Sequence, residues 1–230
     1  MRLLFVHGIN QQGKSSAALR DVWVRDLEAG LGRPGALAAI TVDQPFYGDV
    51  LHQLSRARAE SLEEGVAAEE DLVAAAEEAA FLEAGLREQA QAAGAGEETI
   101  EEAIQAEAAP FGGPDAEGFP MDRRINAIVG VLERLSPLRG NLALMLLGQA
   151  HAYLKRPAVG AAVDALVRPA LATGEPTVVV AHSLGTVVTF RLLRALAAEG
   201  TPVTVPLYVT LGSPLTLEAV QGALGGPFAR

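Results

Sequence analysis

The chain has 230 residues, a formal net charge of −10, 50% apolar residues, 5% aromatic residues and no cysteine, which allows one domain with a sizeable core. The absence of cysteine excludes disulfides and thiolate zinc sites. The apolar run at residues 3–6 ends at His7, too short for a secretory signal core or a membrane span, so a soluble cytoplasmic protein with no integral membrane segment is expected.

Residues 2–7 read as a buried strand and 8–13 as a loop. The near-helical spacing of Leu19, Val22, Trp23, Leu27 and Leu31 predicts a helix over 16–31, capped by Ser15 or Ser16 and stopped by Gly32-Arg33-Pro34-Gly35. A second strand is expected at 39–43, ending in Gln44-Pro45-Phe46-Tyr47-Gly48-Asp49. Residues 60–107 are helical by propensity, with a break at Gly94-Ala95-Gly96. This segment holds fifteen carboxylates and one base, Arg87, a net −14 that leaves +4 on the remainder. Nucleic-acid binding by it is therefore not expected. The reading places its carboxylates outward and Leu62, Val66, Leu72, Val73, Phe81, Leu82 and Leu86 inward. Loop composition follows at 109–120, then helical periods over 122–135, 140–154 and 158–172. The chain closes with a strand at 177–182, a helix at 184–199, a strand at 203–211 and a short helix from about 216.

Strands alternating with helices predict an α/β fold: a parallel sheet with helices on both faces. The roughly 130 residues between the second and third strands exceed any simple crossover, so a helical cap insertion is expected. The division is a core of 1–50 and 170–230, with 51–169 as the cap, containing the acidic segment and helices that return to the core. The predicted strand order is 39–43, 2–7, 177–182, 203–211.

The chemistry concentrates at Ala181-His182-Ser183-Leu184-Gly185, where a β-branched run meets a helix-forming stretch. This is the G-x-S-x-G nucleophile elbow with alanine in the first glycine position. A sharp strand-to-helix turn there exposes the Ser183 hydroxyl, and the Leu184 N–H at the helix start points toward a developing oxyanion. A second donor is expected from Ile9, just after the strand that ends in His7-Gly8.

Together, His7-Gly8, the His182-Ser183-Leu184-Gly185 element and Leu211-Gly212-Ser213-Pro214 resemble the α/β-hydrolase superfamily, and within it lipase- and esterase-like members. The resemblance covers the three strands 2–7, 177–182 and 203–211. It implies an α/β-hydrolase core and a serine hydrolase of carboxylic esters, lipid or acyl esters included, working through an acyl-Ser183 intermediate. Ile9 and Leu184 would form the oxyanion hole, with His7, Gly8, His182 and Gly185 in support and neither cofactor nor metal. In that family the catalytic acid and histidine follow the serine, whereas no histidine or aspartate follows Ser183 here. The 1–230 chain by itself is therefore expected to be incomplete, with little turnover.

The remaining bases and acids are weighed on position. His182 should point away from Ser183; His7 should be a structural, hydrogen-bonded residue. His52, in the segment leading into the cap, is the alternative base. His151 reads as helix packing, and Glu218 as a surface helix carboxylate. Two other classes compete. Gly8-Ile9-Asn10-Gln11-Gln12-Gly13-Lys14-Ser15 satisfies the phosphate-binding P-loop pattern, between a strand and a helix, with Asp43 as a metal-supporting acid. A non-catalytic hydrolase-like interaction module, using the acidic cap as contact surface, is the third.

Overall fold

A computed structural model describes residues 1–63, 69–109, 121–226 and 228, with the side chains of 56–63, 69, 70 and 72 outside the description. Two compact units result: residues 1–59 with 152–215, and residues 60–151 with 216–230.

The first unit carries an all-parallel sheet of four strands, β1 (Arg2–Val6), β2 (Thr41–Asp43), β3 (Thr177–His182) and β4 (Tyr208–Leu211), in the order β2-β1-β3-β4. Leu4 lies opposite Asp43 and Val179, and His182 opposite Leu211. This is the strand order read from the sequence. Alternation along each strand divides the residues between two faces. On one face Leu4, Val6, Val179 and Ala181 are completely buried. Helices α7 (Pro157–Leu171) and α8 (Leu184–Ala198) contact β1 there, and α8 also contacts β3. On the other face Phe5 meets Trp23 of α1 (Ser16–Leu31) edge-on at 5.0 Å. This face is less covered: Val178 and Val180 are half-buried and Leu211 is 47% exposed. Full burial is worth about 2 kcal/mol per aliphatic side chain, so the α7–α8 face is the main anchor of the sheet.

Helix α1 starts and stops as its sequence dictates. Ser15 is its N-cap, accepting from the Ala18 N–H, and Gly32 closes it in the left-handed region at φ 63°. The strands that flank loops are shorter than predicted. β2 begins at Thr41 because residues 35–40 form turns, with Ala38 N–H donating to Gly35 O and Ile40 N–H to Leu37 O. Glu28 holds those turns by accepting from the Gly35 and Leu37 N–H groups, each at 2.9 Å. β4 begins at Tyr208 because Pro202 and Pro206 supply no N–H to the ladder. Pairing continues upstream only through acceptors: Thr177 N–H to Thr204 O and Val179 N–H to Leu207 O.

The second unit is helical. It contains α3 (Glu69–Ala92), α4 (Glu97–Ala108), α5 (Met121–Leu135), most of α6 (Arg139–Lys155) and the short α9 (Glu218–Ala223). Helix α2 (Gly48–Glu63) begins in the first unit. Leu86, Ile100, Ile104, Ile128 and Leu147 are completely buried. The break between α3 and α4 falls at 93–96, where Gly94 has φ 98°. The inward set expected from the sequence is corrected at Val73, which is 59% exposed; Val66 and the side chains of Leu62 and Leu72 lie outside the description. The outward reading of the carboxylates is corrected at Glu83. Its side chain is only 12% exposed and accepts from Arg87 at 3.1 Å and Arg124 at 2.8 Å. Burial raises the Glu83 carboxyl, but the two guanidiniums outweigh it and leave it below the usual range. Among the described residues no helix is long and apolar enough to cross a membrane.

Candidate active site

Ser183 is the single residue between β3 and α8, and its backbone sits at φ 53°, ψ −126°. A non-glycine residue in that conformation carries strain of about 1–3 kcal/mol, so the surrounding contacts must hold it there. They are several. Ser183 N–H donates to Leu211 O at 2.8 Å, tying the turn to β4. Ser183 O accepts from the Thr186 N–H at 3.0 Å and the Thr186 hydroxyl at 2.7 Å. The Thr186 hydroxyl also lies 2.8 Å from Ser213 Oγ, and Tyr208 OH donates to Thr186 O at 2.8 Å.

Two glycines make the close approach possible. A Cβ on Gly8 would lie 2.7 Å from Ser183 Cβ and 3.1 Å from His182 Nδ1. A Cβ on Gly185 would strike Val6 O and lie 2.5 Å from His7 O. The loop after β1 therefore runs directly against the serine turn. Ile9 and Leu184 flank this contact, and neither N–H has a hydrogen-bond acceptor among the described residues. The Ser183 hydroxyl likewise has no partner there.

The histidines are distributed as follows. His7 is buried, its Nδ1 is 2.8 Å from Gly8 O, and its Nε2 accepts from the Tyr47 N–H at 3.2 Å. Both ring nitrogens are thus in use, and burial pushes its pKa down to about 4. His182 turns to the α1 face, beside Trp23 at 6.5 Å between ring centroids, and a Cβ on Gly212 would lie 3.6 Å from its Nε2. Burial lowers its pKa. With Phe5, Trp23, Leu27, Val180 and Leu211 it lines a cavity of about 410 Å³. His52 lies on α2, partly exposed, without a hydrogen bond to Ser183. His151 is buried in the helical unit, beside Phe81 and 3.8 Å from Glu78. Glu218 also belongs to that unit, where its N–H and that of Ala219 donate to Glu88. No described histidine or carboxylate side chain is hydrogen-bonded to the Ser183 hydroxyl.

The loop of residues 8–15 is already occupied by the protein's own groups. Gly13 N–H donates to the Asp49 carboxylate at 2.7 Å, Lys14 Nζ donates to Gln11 Oε1 at 2.9 Å, and Ser15 Oγ caps α1. Asp43 forms an ion pair with Arg2. An acid on a loop amide opposes a phosphate there, which weighs against the nucleotide reading.

No family model, curated protein or solved structure matches the chain. Function must therefore be argued from the site alone. Among the described residues no three histidine, aspartate or glutamate side chains cluster as metal ligands would. Tyr47 is the residue that sequence reading passed over. It is completely buried, stacks on His7 at 3.9 Å between ring centroids, and its hydroxyl donates to His7 O. The two residues are 40 positions apart, so no local pattern announces the pair.

Proposed function

We propose that the chain is an α/β-hydrolase-type core that attacks carboxylic esters, lipid or acyl esters among them, through Ser183. The observation that carries this reading is the strained Ser183 turn between a parallel strand and a helix, pressed against the glycine loop after β1. In the first step Ser183 Oγ adds to the ester carbonyl carbon, and the carbonyl oxygen becomes an oxyanion that accepts from the Ile9 and Leu184 N–H groups. Collapse breaks the ester C–O bond; the alcohol leaves with a proton and the acyl group remains on Ser183. Water then cleaves the acyl-serine to release the acid and restore the hydroxyl.

A serine hydroxyl without a neighbouring base is a poor nucleophile at neutral pH. The expected result is slow labelling of Ser183 by a fluorophosphonate, lost in Ser183→Ala, with little turnover of p-nitrophenyl esters. Labelling that persists in Ser183→Ala, or vigorous ester turnover unaffected by it, would overturn the reading. The unpartnered Ser183 hydroxyl favours a second reading, a hydrolase-like module without catalysis. A folded chain that the probe never labels would select it. Micromolar binding of ATP with Mg²⁺ by calorimetry would instead reinstate the nucleotide reading of residues 8–15.

A further inference from the structure

The loop after β1 is fastened from one neighbouring segment, and the fastening acts on a particular peptide group. The Gly8 carbonyl and the Ile9 N–H belong to the same planar trans peptide, so fixing the direction of one fixes the other. His7 Nε2 accepts from the Tyr47 N–H, which leaves the ring proton on Nδ1, and Nδ1–H then donates to Gly8 O at 2.8 Å. The Gly8 carbonyl is thereby drawn toward the imidazole, and the Ile9 N–H must point the opposite way. The Ile9 carbonyl is tied separately by Gln11 Nε2 at 2.9 Å. Tyr47 holds the imidazole through its backbone N–H and its stacked phenol, and its hydroxyl separately ties the backbone carbonyl of His7. The same segment grips the loop again further along. The Asp49 carboxylate accepts from Gly13 N–H, and a Cβ on Gly48 would come within 2.9 Å of the Gln11 backbone.

Resting on the ester reading above, we propose that His7 and Tyr47 are positioning residues that lock the Gly8–Ile9 peptide plane so that the Ile9 N–H stands preset as an oxyanion donor. Neither residue touches the reacting atoms. The arrangement has the economy of electrostatic preorganisation: a donor that is already aimed does not reorganise when charge develops. It also gives a buried histidine a task that needs the neutral ring and one tautomer. Burial, which pushes His7 down to about 4, maintains that form at neutral pH.

The test uses the whole chain, with His7→Gln and Tyr47→Phe. Tyr47→Phe keeps the stack and the backbone donor while removing the hydroxyl. The first readout is ¹⁵N NMR. The wild-type His7 ring should carry its proton on Nδ1, and Tyr47→Phe should lower the ¹⁵N order parameter of the Ile9 N–H while those of the β3 amides are unchanged. A ring protonated on Nε2, or an Ile9 order parameter unchanged in both variants, overturns the proposal. The second readout is the rate of fluorophosphonate attachment to Ser183. His7→Gln should lower the maximal rate by about 10- to 100-fold with little change in probe affinity. Wild-type rates in variants that melt as the wild type does would overturn it. If the wild-type chain is not labelled at all, the ester reading fails, and the NMR arm alone still decides whether His7 and Tyr47 orient the Ile9 peptide.

Discussion

Gly185 and His7 show how little latitude the site leaves to single residues. Because a Cβ at 185 meets the carbonyl oxygens of Val6 and His7, which are backbone and cannot rotate aside, Gly185→Ala should destabilise the protein by about 3 kcal/mol in urea titration. His7 imposes a pH dependence of definite sign. Its pKa falls from an ordinary 6.5 to about 4 on folding, so between those values the unfolded chain binds the extra proton. Its stabilising effect is complete above pH 6.5, declines as the pH falls, and is lost below about 4. The loss should total about 3 kcal/mol and be missing from His7→Gln, as urea unfolding across that range would reveal.

Among the elements, helices follow local chemistry and strands follow their neighbours. Gly148 lies inside α6 with nothing within 4 Å of a built Cβ, so Gly148→Ala should raise stability by about 1 kcal/mol, a sign opposite to that at Gly185. The start of α1 at Ser15 and its end at Gly32 were legible because capping involves residues within one turn. The start of β2 was not, because Glu28 in α1 holds the turns at 35–40 across the intervening loop. The strand-to-helix turn at Ser183 was legible, since its strand and helix adjoin it in sequence. The fastening of Ile9 was not, because Tyr47 comes from a segment whose own pattern reads only as the end of a strand. Glu83 was misjudged for the same reason: Arg124, 41 positions away, draws it inward.

Charge separates the two units of the whole molecule. Residues 1–59 and 152–215 carry twelve bases and eight acids, whereas 60–151 and 216–230 carry six bases and twenty acids. Like charges at that density oppose compaction, and salt relieves them over distances beyond about 8–10 Å. Hydrogen exchange of the described amides in α3 and α4 should accordingly be faster than in β1 and β3, and should slow at high salt. Protection equal to that of the strands at low salt would show that packing around Leu86, Ile100 and Ile104 outweighs the repulsion.

Trp23 is the sole tryptophan of the chain, and it stands edge-on between Phe5 of the first strand and His182, the neighbour of Ser183. The tryptophan emission of the protein thus originates beside the strand end that carries the serine. An imidazole at that separation, dark when neutral and quenching when charged, makes this emission a built-in optical gauge of the elbow's immediate surroundings, with no label attached.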